Sequence, residues 1–190
     1  PTNSATLEIS GTGVATVSQA ITVASGDSAT LLNDDTTAAL TYSGAMTITG
    51  ATLNFTAASA AFGTIVNGAI TGTNGTTFNS TLNVYGPIYL EGNGTAASYY
   101  GPTNVYGGAV LANNVANWLP ASTVVTLGSG TSSGVLALNG GSETITGLTN
   151  SGTGTGNMVR IDSNGAYTLT VNDDASNANG ANFTFAGSIS

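Results

Sequence analysis

The sequence predicts an all-β protein built as a parallel β-helix, a β-solenoid of about 8–9 coils at ~20–25 residues each. Three observations predict it. Large apolar residues recur two apart in short runs, as in Val125/Leu127, Leu136/Leu138 and Leu169/Val171; this is the period of a strand with one buried face. Glycine- and asparagine-bearing corners interrupt these runs at short intervals, and Gly44 and Gly50 leave no room for a helix between them. Charged residues are only 5 % of the chain, against ~25 % in an ordinary soluble protein. Coils stacked at ~4.8 Å bring like residues into ladders, where like charges repel while Thr, Ser and Asn can hydrogen-bond. An antiparallel sandwich also has many short strands, but its turns come every ~8–12 residues with more varied loops.

The elements follow in order. Leu7/Ile9 and Ile21/Val23 keep the two-residue alternation, with Gly11, Gly13 and Gly26 at the breaks. Asn33–Thr37 reads as a polar turn, followed by strands carrying Met46/Ile48 and Leu53/Phe55 inward. Asn67-Gly68, Asn74-Gly75 and Asn164-Gly165 are turn dipeptides. Leu111–Pro120 breaks the pattern and predicts one short helical turn near residues 112–119, ended by Pro120. Val124–Leu148 then gives three strands separated by glycine corners, and Phe183/Phe185 resume the alternation near the end. There is no shift in composition and no linker, so residues 1–190 read as a single solenoid domain.

Composition excludes several partners. Arg160 is the sole basic residue and the net charge is −8, so nothing neutralises nucleic-acid phosphate or an anionic membrane. No apolar run approaches the ~18 residues of a membrane-spanning helix. No basic segment precedes an apolar one, and Pro1 reads as a processed end or a cut. The chain has no cysteine, which removes disulfides and thiolate metal sites.

Four stretches in sequence resemble the autotransporter-associated β-strand repeat of bacterial surface and secreted proteins. They are SYYGPTNVYGGAVLANN at Ser98–Asn114, LPASTVVTL at Leu119–Leu127, LALNGGSETITGL at Leu136–Leu148 and FTFAGSIS at Phe183–Ser190. Residues 88–190 carry the likeness, while residues 1–87 share only its style. The resemblance implies a right-handed parallel β-helix on the bacterial cell surface or in the extracellular matrix. The motif is structural and brings no catalytic residues. The sequence departs from autotransporters in carrying no translocator barrel.

Catalysis is not expected. Without His, Cys or Lys there is no triad, Schiff base or imidazole zinc site. A lyase would need more basic residues than Arg160. Two carboxylates suffice for a glycosidase, but in Asp34/Asp35 and Asp173/Asp174 adjacent strand residues point to opposite faces. No cofactor is expected unless it is calcium, for which Asp162, Asn164, Asp173 and Asp174 offer hard oxygen ligands; the bland alternative is turn chemistry. Tyr99, Tyr100, Tyr106 and Trp118 are the residues that would stack on a glycan, against the alternative of an aromatic ladder with Trp118 inside a corner.

The expected function is a non-catalytic extracellular rod that stacks head to tail on copies of itself, or forms part of a longer surface solenoid. The alternatives are an adhesin passenger binding glycans and, further off, a carbohydrate-active enzyme.

Overall fold

The computed structural model describes residues 2–58, 62–73, 80–92, 96–107, 109–113, 115–161, 165–172 and 183–190. It is a parallel β-solenoid, with every pairing between the named strands of the described residues parallel. The first face is a seven-stranded sheet of β1 (Ser4–Ile9), β4 (Ser28–Asn33), β7 (Thr52–Ala57), β10 (Thr81–Val84), β12 (Thr103–Val105), β14 (Val124–Leu127) and β17 (Gly147–Asn150). The second has eight: β2 (Ala15–Val17), β5 (Leu40–Tyr42), β8 (Thr64–Val66), β11 (Ile88–Leu90), β13 (Ala109–Asn113), β15 (Val135–Asn139), β18 (Met158–Ile161) and β20 (Ser188–Ile189). The third is assembled from β3 (Ile21–Thr22), β6 (Met46–Thr47) and β9 (Ile70–Thr71), and then β16 (Glu143–Ile145) with β19 (Leu169–Val171). Between those two groups, a Thr71–Ser98 bridge and backbone bonds from Ala97 to Trp118 and from Asn117 to Ser142 carry the stack through.

The seven rungs of the first face enclose about 6 turns, fewer than the 8–9 expected. The coils are unequal, and some are longer than expected. Ser4 pairs with Ser28, a repeat of 24 residues, but Thr52 pairs with Thr81 and Met158 with Ser188, repeats of 29 and 30. Strand spacing alone does not reveal these longer repeats.

The expected helical turn near 112–119 is also corrected. Residues Ala109–Asn113 are strand, with Leu111 in register between Tyr89 and Ala137. The chain then turns, with Asn117 in the left-handed region at φ 52°. Among the described residues there is no helix. A parallel neighbour on both sides of Leu111 satisfies its backbone better than an isolated helical turn, which is marginal at this length.

Inside, like meets like. Leu31, Phe55, Val84, Val105 and Leu127 form one continuous inward column in register, each at most 2 % exposed. A buried side chain of this size contributes about 1.5–3 kcal/mol. Tyr42 packs edge-on against Phe55 at 6.0 Å and 62°, and burial pushes its hydroxyl up to about 12.

Close stacking dictates the corner glycines. A Cβ on Gly68 would lie 1.9 Å from the carbonyl oxygen of Gly44, and one on Gly44 would lie 2.0 Å from that of Gln19. These contacts are to backbone, which cannot swing aside. Gly68→Ala is therefore expected to destabilise the protein by about 1–3 kcal/mol, the usual cost of overpacking. A urea midpoint unchanged from the parent would contradict the close approach.

Candidate functional site

The least expected group in the core is a carboxylate. In β16 the pattern alternates buried, half-buried, buried, so Glu143 points inward beside Ile145 and is 0 % exposed. Its Oε1 accepts the backbone N–H of Trp118 at 3.0 Å and its Oε2 that of Leu119 at 3.2 Å. The left-handed turn at Asn117 leads into these two successive donors. Burial raises the carboxyl from its usual 4.5 to about 7, against the opposing pull of the two N–H groups.

A hydroxyl relay lies close by. Thr123 donates to the carbonyl of Gly101 at 2.7 Å, so its oxygen is free to accept from Thr103 at 2.9 Å. Thr103 in turn accepts from Tyr99 at 2.5 Å. A carbonyl cannot donate, and this fixes the direction of the chain. Burial raises the Tyr99 hydroxyl above its ordinary value; the bonds to Thr103 and Thr123 oppose this, and the Glu143 charge adds to it. Glu143, Tyr99, Thr103 and Thr123 all have 0 % exposure. Acid–base catalysis requires contact with the proton to be moved, and these four residues present no surface to solvent. The arrangement braces the corner from within.

The aromatic residues singled out from the sequence are divided by the fold. Tyr99 and Trp118 are wholly buried, so neither ring is presented to a sugar; Trp118 fills the corner above Glu143. Tyr100 is 38 % exposed, on a shallow cleft with Ser98, Pro120 and Ser122. Tyr106 is half-buried beside Tyr85, with ring centroids 5.1 Å apart and planes tilted by 43°.

Asp162, Asn164, Asp173 and Asp174, the residues suited to calcium, lie outside the described residues. Among the described residues no three His, Cys, Asp or Glu gather as a metal site. Asp34 is exposed while its neighbour Asp35 is buried. The Asp35 carboxylate accepts from the Thr37 hydroxyl and N–H, both at 2.7 Å, and from the N–H groups of Gly13 and Ala38. The Thr37 hydroxyl leads in holding this acid below its ordinary value. Asp35 joins the first coil to the second and is fully engaged there.

The outer side of the first face carries a ladder of the kind expected of stacked Thr and Asn, though the sequence does not identify its members. Thr6, Thr30, Asn54, Asn83, Asn104, Thr126 and Thr149 fall in one register column. Within it Asn83 donates to the Asn54 amide oxygen at 2.8 Å, and Asn104 to that of Asn83 at 2.9 Å. The signal was present in the sequence as Asn54, Asn83 and Asn104, each one residue before an inward apolar side chain. Only the register, with its unequal coils, brings them together.

No protein-family model, curated protein or solved structure matches the chain.

Proposed function

We propose that the chain is a non-catalytic structural protein of the bacterial cell surface or extracellular matrix, a β-solenoid rod whose terminal rungs stack on the next copy or the next coil of a longer solenoid. The observation that carries this reading is the condition of the end rungs. Leu7 occupies the same inward column as Leu31, yet it is 40 % exposed where Leu31 is 2 %. At the far end Val171, Ile161 and Ile189 are 42, 39 and 72 % exposed. Among the described residues, each end offers inward apolar groups and a strand edge without a parallel neighbour, which is a template for another strand. A contact of one end on the opposite end does not close, so it propagates as a filament.

Three of the described carboxylates are occupied within the fold, which supports a role without catalysis. Asp27 binds Asn3, Asp35 braces a corner, and Glu143 is sealed inside. A surface rich in Thr, Ser and Asn and poor in charge suits stacked extracellular coils.

The purified chain should form filaments in negative stain, with a meridional spacing of about 4.8 Å by fibre diffraction. Leu7→Lys should leave the chain folded but dispersed. A wild-type chain that sediments as a monomer at high concentration would overturn stacking on the next copy.

A further inference from the structure

The first face holds a patch that end-to-end stacking does not use. Asn83 and Tyr85 stand two apart and point outward from one rung, while Asn104 and Tyr106 do the same from the next. The two asparagines are hydrogen-bonded to each other, and the two tyrosine rings are in contact. The patch is therefore a two-by-two array, with rungs ~4.8 Å apart and columns about 7 Å apart. Tyr85 is 45 % exposed. Val84 and Val105 lie beneath, fully buried in the inward column, so a rigid sheet fixes the array.

Its chemistry selects an occupant. Each asparagine amide has two N–H donors and a carbonyl with two lone pairs. The ladder bond takes one N–H from Asn83 and one from Asn104, half the donors available. The outward residues of these rungs and of the one preceding, Thr52, Asn54, Thr56 and Thr81 included, are uncharged. No cation is present there to hold a phosphate or a uronate, and the net charge of −8 disfavours any polyanion. Amide donors and acceptors beside a tyrosine platform suit a ligand with apolar C–H faces and many neutral hydroxyls.

We infer that Asn83, Tyr85, Asn104 and Tyr106 form a binding site for a neutral polysaccharide lying along the side of the rod. The site differs from the buried Tyr99 and Trp118, and it stands independently of end-to-end stacking because the patch faces sideways.

Affinity electrophoresis of the whole chain, through gels containing hydroxyethyl cellulose, dextran or polygalacturonate, tests this. At least one of the two neutral polymers should retard migration, and polygalacturonate should not. Tyr85→Ala and Tyr106→Ala should each weaken retardation by about tenfold, the scale of one aromatic contact. Tyr85→Phe should keep it. Urea midpoints of the variants separate lost binding from lost folding. Absence of retardation in both neutral gels, equal retardation by polygalacturonate, or retardation that survives Tyr85→Ala in a folded chain would each overturn the inference. Filament formation in the same preparations reads the stacking proposal separately.

Discussion

Trp118→Ala is expected to destabilise the protein by about 3–5 kcal/mol, the range for emptying a large aromatic site in a core. Trp118 has no exposed surface, and its backbone N–H is tied to Glu143. Its backbone also carries the third face across the gap between β9 and β16. Removing the ring opens a cavity in the corner that holds these contacts. The indole Nε1 has no hydrogen-bond partner among the described residues, so the ring contributes by packing. Trp118→Phe should therefore recover most of the loss, because it refills volume without a stranded donor. Urea unfolding of the three proteins measures this. A loss below about 1 kcal/mol for the alanine variant would mean that the corner collapses and that the ring is dispensable.

Acidification from pH 8 to pH 5 should stabilise the protein through Glu143, by up to about 3 kcal/mol from a shift of this size. The folded carboxyl titrates at about 7 and the unfolded one at its usual 4.5. Between those values the folded chain holds a proton that the unfolded chain has released. The contribution is fully present below about 4.5 and is lost as the pH rises through about 7. Asp35 works in the opposite sense: its acid is held below the ordinary 3.8, so its contribution is present above that value and disappears as the pH falls further. Stability should peak in the mildly acidic range. Urea midpoints at unit steps from pH 4 to 8 trace the curve, and Glu143→Gln should flatten its neutral limb. A flat wild-type profile, or a glutamine variant with an unchanged slope, would contradict this assignment.

Much of the core was legible because the period of a strand is two. Leu53/Phe55, Val125/Leu127 and Leu136/Leu138 were readable as inward pairs, and all six are buried. Applied without regard to charge, the same rule also places Glu143 inward, two residues before Ile145. The usual expectation that an acid is solvated conceals it. For Tyr99 and Trp118 the sequence offers both an exposed platform and a filled corner, and the structure takes the filled corner. The helical turn expected near 112–119 gives way to strand for a related reason: the apolar spacing there has no clear period of its own, and the neighbouring rungs decide it. Leu111 lies in register between Tyr89 and Ala137, so its strand pairs with a parallel neighbour on each side.

The sequence by itself determined that short strands with one buried face would stack through uncharged ladders. Alternation, glycine corners and a 5 % charge content are local properties, and they needed no knowledge of neighbours. Only the tertiary structure decided which residues became neighbours. The coil length varies from 21 residues between Leu82 and Thr103 to 30 between Met158 and Ser188. Register therefore cannot be counted along the chain. It is set when each rung finds the offset that aligns its inward column with the last, because slipping by one residue would turn every apolar side chain outward. That choice places Glu143 beneath Trp118 and joins Asn83 to Asn104.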